Sequence, residues 1–472
     1  MYKVLGRLFL GFVSLVLGAS AVAQNFSREQ SFVISWQGSP VGHCSVRVLN
    51  RPDKEPGHLI ETTRVTTIAT TTGTNEVRTT TQTWMDEAND SDRIQIVQVS
   101  AGRRHTVNIH CNNRSLQVDV ANGDVLFHRD LPRPANSVLV GDVLSYLPIL
   151  NEGMPQPNLT TICPTTLKLT TAPIVDLGVS QVMAFGGHEL RELSLQDSSS
   201  VNSIYVNPSG EVAGLRTSMG MEFRESNAIP VEPEASAPNL ARILALQLDR
   251  PIEKPRKVRA ATFRLSGTTT LQLPNDRTQT ATIDGNDTIV TLAAKAARAS
   301  QSLPIGAYDP EKFQPFLAEE SLLPVNHPDI QRVAKKLIGE DTNSLVVARR
   351  IRAWVNGHMT ADSTIGVARN AVEILKSGEG VCRDAAVLAA TLMRASGIPA
   401  KLVGGLIADG QELRYHAWVE AFNGREWIPL DPSNQDGFFD ATHIKITAGS
   451  VEEAFNIRVV RAAKVSLELV RY

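Results

Sequence analysis

The apolar residues of this chain repeat with a period of two through its first half and with a period of 3.6 after Asp329. FVISW, CSVRVLN, TRVTTIATTT, EVRTTTQTW, RIQIVQVS, HTVNIHC and SLQVDV are short, β-branched and roughly alternating, the pattern of half-buried strands. Threonine-rich tracts also occur in glycosylated stalks, but these lack the accompanying proline, and threonine favours strands. GDV, NPSG and NRS supply turns. Residues 24–228 are therefore read as an N-terminal β-rich domain built on a curved antiparallel sheet. IPVEPEASAP, at 229–238, is a proline-rich connection. VRAATFRLSG, TTTLQLPND and TIVTLAAK mark a smaller β segment within 239–300, and 301–328 is read as a linker with a few helical turns.

After Asp329 the period is that of amphipathic helices. DIQRVAKKLI carries apolar residues at 330, 333, 334, 337 and 338, and 344–355 and 371–375 continue as two more helices. The expected fold class is α+β, with antiparallel β regions followed by an α+β domain at 329–472. No internal repeat is visible.

The first 23 residues read as an export signal. Lys3 and Arg7 precede an apolar run at 8–17, and Ala21-Val22-Ala23 has the small-x-small pattern of a cleavage site. An uncleaved anchor is the rival reading, but the run is short of the ~20 apolar residues of a span, and no later segment approaches that length. The mature chain is expected to begin near Gln24 and to be exported, periplasmic or secreted, with no transmembrane helix. A formal charge of −2 suggests neither a nucleic-acid surface nor a basic membrane patch.

Four cysteines, Cys44, Cys111, Cys163 and Cys382, all lie in the mature chain. An exported protein keeps disulfides, and four cysteines permit three full pairings. One N-terminal pair with a free Cys382 is among the arrangements allowed. No CxxC or Cys/His cluster has zinc spacing, so neither a metal nor a cofactor is expected.

GEGVCRDAA, at 378–386, sets Cys382 between a glycine-rich turn and the start of a helix, CRDAAVLAATLMRASG, which Gly397 ends at the C′ position with Pro399 beyond. A helix N-terminus favours a thiolate, and its N–H groups suit a developing oxyanion. An ordinary buried thiol is the bland alternative. LRYHAWVEAFNGREWIPLDP reads as a hairpin around Asn423-Gly424. Counting outwards pairs Phe422 with Arg425, Glu420 with Trp427, Trp418 with Pro429, and His416 with Asp431. Directly opposed residues have Cβ atoms ~4.5–5.5 Å apart, close enough for the carboxylate to fix the imidazole tautomer.

GEGVCRDAAVLAATLMRASGIPAKLVGG, YHAWVEAF and WIPLDPSN together resemble the core of the transglutaminase-like superfamily, a relative of papain-like cysteine enzymes. The resemblance covers about 325–445, with AVEILKSGEG as the lead-in. It implies Cys382 as nucleophile, His416 as base and Asp431 as orienter. Some family members take an oxyanion donor from an upstream tryptophan, which makes Trp354 the candidate here, although ARRIRAWV around it reads as a packed helix. The Cys382 backbone N–H is the other donor. Arg383 and Asp384 depart from the animal enzymes and resemble a bacterial exported branch, as does IYVNPSGEVAGLRTSMGMEF in the β region. No EF-hand-like calcium loop is present.

The expected function is an exported thiol enzyme acting on the amide or peptide bond of a protein, peptide or amide substrate through an acyl-enzyme. Water as acceptor gives a protease or amidase, and an amine gives transglutaminase-type transfer. The alternative is a non-catalytic binding or scaffold protein of the cell envelope with a vestigial domain. A third reading is an assembly factor that offers a strand edge to a client.

Overall fold

The structure, a computed structural model, describes residues 26–472 apart from 37, 70–73, 152–157, 183–184, 186, 197–200, 218–219, 227–244, 269–270, 363–366, 436, 456–459 and 461. The signal at 1–23 and the connection at 229–238 lie outside the described residues. The protein is mostly strand, richer in β than the α+β expectation.

The alternating segments of the first half form one 15-stranded sheet. Its neighbours are antiparallel except Val138–Val140, which runs parallel to Asn158–Ile162. Alternation explains the inner face. In Ser115–Asn122, Leu116, Val118 and Val120 are buried while Gln117 and Asp119 are exposed. The threonine tract behaves likewise: Thr79, Thr81 and Thr83 of Thr74–Met85 point inward, as β-branched residues on a pleated surface do. The sheet curls until its edge strand Val138–Val140 meets Ser91–Ser100, the fourth strand from the opposite edge, where the Ser91 hydroxyl donates to the Leu139 carbonyl. The 3-10 turn Val143–Tyr146 and helix Leu147–Asn151 then fill the concave face, with Tyr146 and Leu147 packed among Phe32, Ile34 and Phe223.

In the C-terminal half, helix Cys382–Ala395 lies across a sheet ordered Leu246–Gln247, Glu412–Phe422, Ala400–Asp409, His443–Gly449, with Trp427–Leu430 also pairing Glu412–Phe422. This helix is buried on nearly every side, which explains its run of alanines: small side chains let helices Pro328–Ile338, Ser344–His358 and Ala371–Ser377 and the sheet approach it together. Helix starts follow their caps. Asn343 accepts from the N–H of Leu345 and Val346, and Asn370 forms a capping box with Glu373.

Two segments pack well beyond their own residues. The β segment 239–300 is not self-contained. Its strand Ala260–Ser266 pairs with the last strand, Lys464–Arg471, and Leu265 and Val290 share a core with Leu406 and Ile444. Nor is 301–328 a free linker. Leu322 and Leu323 belong to the helical core, and Phe313 stacks on Phe422 with ring centroids 4.2 Å apart.

The curled sheet is docked on this half. Asn122 donates to the Ala368 carbonyl at 3.2 Å, and Asn370 donates to the Asn122 carbonyl at 2.8 Å. Both asparagines are buried, so each amide's hydrogen bond matters to the contact. Lys376 pairs with Asp124 nearby at 3.2 Å.

Candidate active site

The turn before Cys382 is fastened from beneath. Arg369 Nη2 meets Asp384 Oδ2 at 3.1 Å with both side chains buried. The same guanidinium donates to Ser377 Oγ at 3.0 Å and to the Glu379 carbonyl at 2.6 Å. Asp384 also accepts from the Val381 N–H at 3.0 Å. Position 380 must be glycine, because a Cβ there would lie 2.6 Å from Arg369 Nη2 and 2.7 Å from the Asp384 side chain. The departure at Asp384 from the animal-type sequence thus anchors the first turn of the helix that begins with Cys382.

His416 comes from strand Glu412–Phe422, and its Nε2 stands 3.0 Å from Asp431 Oδ2. Asp431 Oδ1 accepts from the Ser433 N–H at 2.8 Å and its hydroxyl at 2.7 Å. With Nε2 donating to the carboxylate, Nδ1 is left for Cys382. Cys382, His416 and Ala417 line one cavity, with the imidazole and the Ala417 N–H near enough to favour the thiolate.

The hairpin register differs from the expected count. Phe422 pairs with Trp427, Ala421 with Ile428, Glu420 with Pro429 and Val419 with Leu430. Asn423 Oδ1 accepts from the N–H groups of Arg425 and Glu426, both at 2.9 Å, so 423–426 close a four-residue loop in place of a two-residue turn. The slip is two residues, and side chains alternate faces with a period of two. Asp431 therefore keeps the face of His416 and reaches it diagonally from just beyond the last paired residue.

Charge at the site follows from these contacts. Burial pushes the Cys382 thiol up, but the charge and hydrogen bond of His416 and the Ala417 N–H outweigh it and hold it below the ordinary thiol value. Burial likewise opposes the His416 cation, yet Cys382 and Asp431 push its pKa up to about 10. Burial disfavours the Asp431 carboxylate too, and His416 and His443 hold it well below the usual range. Two other thiols go the opposite way: burial pushes Cys44 far up and the half-buried Cys111 up to about 12. All four cysteines are free, so the N-terminal pair that the sequence allows is not formed.

Trp354 is placed elsewhere. Its ring stacks on His358, centroids 4.5 Å apart and 13° from parallel, and packs against the helical core. It does not line the cavity at Cys382.

That cavity, about 330 Å³, lies between the two halves of the chain. Cys163, Thr165 and Thr166, from the turn after strand Asn158–Ile162, face Cys382, Arg383 and His416 across it. Sequence reasoning missed this wall, since nothing local links residues 163–166 to a helix more than two hundred residues away.

It also missed His443. The ring is buried, with Nε2 3.3 Å from Asp431 Oδ2 and Nδ1 3.3 Å from Asp440 Oδ1. A signal was present: in HIKI, His443 and Lys445 alternate with Ile444 and Ile446, and all four are buried, so two ionisable residues share one inward face of a strand. Among the described residues, His416, Asp431 and His443 form the one group of potential metal ligands within 4.8 Å of one another. Their nitrogens are taken up by carboxylates and by Cys382, an arrangement suited to proton transfer.

Residues 331–432 match the family model described as Transglutaminase-like superfamily, and this part of the chain is a transglutaminase-like domain. Over 135 residues the chain is 29% identical to an uncharacterized protein of Mycobacterium leprae, covering 26% of this chain and 47% of that protein. The chain thus spans about half the length of that relative. Among solved structures, it is similar to the periplasmic domain of TgpA from Pseudomonas aeruginosa, at 18% identity over 41% of this chain and 87% of that one, with a TM-score of 0.28. It is also similar to a β-barrel-like protein of domain of unknown function DUF1849 from Brucella abortus, at 10% identity over 42% and 94% of the two chains, with a TM-score of 0.31. No described helix is long and apolar enough to cross a membrane.

Proposed function

We propose that this protein is an exported thiol enzyme that opens amide or peptide bonds through an acyl-enzyme on Cys382. The observation that carries the reading is the setting of His416: its Nε2 is held by Asp431 at 3.0 Å, and its ring shares a cavity with the half-buried thiol of Cys382, whose pKa it lowers. Desolvation without such a partner moves a thiol the other way, as it does at Cys44 and Cys111.

In this account Cys382 attacks the substrate carbonyl as a thiolate. The N–H groups at the start of its helix receive the oxyanion. His416, held in one tautomer by Asp431, gives its proton to the departing amine. Water or an amine then enters beside His416, which takes the proton of the incoming group as the thioester breaks. Water makes the protein a protease or amidase, and an amine makes it an acyl transferase. The wall at 163–166 restricts the approach to Cys382 from the side of the curled sheet, so that half of the chain helps to choose the substrate.

The test is turnover of a peptide or amide library by the full mature chain, with and without iodoacetamide. Turnover abolished by alkylation of Cys382 supports the reading. Turnover that survives complete alkylation of Cys382 overturns it.

A further inference from the structure

His443 stands between two carboxylates. Nε2 lies 3.3 Å from Asp431 Oδ2, and Nδ1 lies 3.3 Å from Asp440 Oδ1 and 3.2 Å from the Asp440 carbonyl. A neutral imidazole has one donor and one lone pair. It would turn that lone pair toward a carboxylate in a buried site, where such a contact is costly. Only the doubly protonated ring satisfies both neighbours. The surroundings suit a cation: Phe439 stacks on the ring with centroids 4.2 Å apart, and Trp418 meets it edge-on at 5.3 Å.

The charges then alternate along a continuous path. Arg256 Nη1 holds Asp440 at 2.9 Å, Asp440 and Asp431 hold His443, and Asp431 holds His416, which faces Cys382. We propose that His443 is a positioning residue for the Cys382–His416–Asp431 set: a buried imidazolium that keeps Asp431 ionised and aimed at His416. The proposal rests on the thiol-enzyme reading above.

Asp431 is short and lies just past the end of a strand, so its direction must be set by partners. Ser433 fixes Oδ1, and His443 shares Oδ2 with His416. Without the second cation, a carboxylate that is nearly excluded from solvent would face His416 alone. Burial would then favour its protonated form, which cannot stabilise the imidazolium opposite the thiolate. The charged groups that face His443 are Asp431 and Asp440, with the His416 ring 5.7 Å away and Arg256 beyond Asp440. Lys445, on the same strand face, is taken up by Glu420 and Asp276.

The test uses the full chain and site-resolved mass spectrometry of iodoacetamide labelling at Cys382 across pH, in the wild type, His443→Leu and His443→Gln. Leucine removes both donors, whereas glutamine can still donate an N–H to Asp431. The expected result is a wild type labelled well below the free-thiol pKa of about 8.5. In His443→Leu the acid limb moves up by about one pH unit, which is about tenfold slower labelling at pH 6, and His443→Gln falls between. Folded variants that melt lower yet keep the wild-type profile overturn the proposal and make His443 a packing residue, while leaving the thiol reading intact. A wild type with an ordinary thiol profile overturns both. If neither variant folds, ¹⁵N-histidine NMR of the wild type decides: both His443 nitrogens protonated from pH 6 to 8 supports the proposal, and a neutral ring overturns it.

Discussion

His416 Nε2 stands 3.0 Å from Asp431 Oδ2, and this contact determines which ring nitrogen faces the thiol of Cys382. Asp431→Asn keeps the shape but offers a neutral amide, whose oxygen or nitrogen sets either ring tautomer. The imidazolium then loses its counter-charge. Turnover is expected to fall by roughly 10²–10⁴-fold with the circular dichroism spectrum unchanged. Wild-type turnover in this variant would remove Asp431 from the mechanism.

Arg369 and Asp384 form a buried ion pair under the Cys382 turn. Removing one partner leaves an uncompensated buried charge, which costs about 3–5 kcal/mol. Asp384→Ala also frees the Val381 N–H. Urea unfolding should show a loss of this size, and Cys382 should lose its low-pH labelling as the first helical turn frays. A variant as stable as the wild type would mean that the pair is solvated.

Stability should depend on pH in two windows. The folded pKa of Asp431 is depressed, so its contribution is present above the ordinary carboxylate value of about 4 and is lost as pH falls through the depressed value. His416 and His443 are raised. Their contribution is whole below about 6.5 and is lost as pH rises through the folded values, about 10 for His416. The difference in unfolding free energy between wild type and His443→Leu should therefore be larger at pH 6 than at pH 9. An equal or reversed difference would mean that His443 is neutral in the folded protein.

The wall opposite Cys382 gives a prediction about access. Thr165 lines the cavity and is only partly buried, so Thr165→Trp narrows the approach without touching Cys382, His416 or Asp431. Labelling of Cys382 by a bulky maleimide should slow sharply, while iodoacetamide labelling changes little. Equal effects on the two reagents would place the reagent path elsewhere.

The parts of this fold that were legible in the sequence are those governed by local rules. Alternation located the first seven of the fifteen strands of the curled sheet, threonine tract included, and Gly397, at φ 75°, ends the Cys382 helix where a C′ glycine should. The shared face of His416 and Asp431 was legible because parity survives a two-residue slip. The register itself was not, since Asn423 chose a four-residue loop through its own side chain. Pairings across long separations were also hidden. Ala260–Ser266 beside Lys464–Arg471, Asn122 on Asn370 and 163–166 over Cys382 depend on packing that no short window contains. His443 was concealed differently: its strand alternates normally, and only the burial of both faces sets it apart.

The central claim is that Cys382 is a thiolate paired with an imidazolium. The most direct measurement is the rate of Cys382 alkylation against pH in the mature protein, alongside His416→Ala. The account predicts fast labelling well below the free-thiol pKa of about 8.5, lost in the variant. A wild-type thiol that labels slowly at low pH and only rises near pH ~8.5, with or without His416, would contradict it.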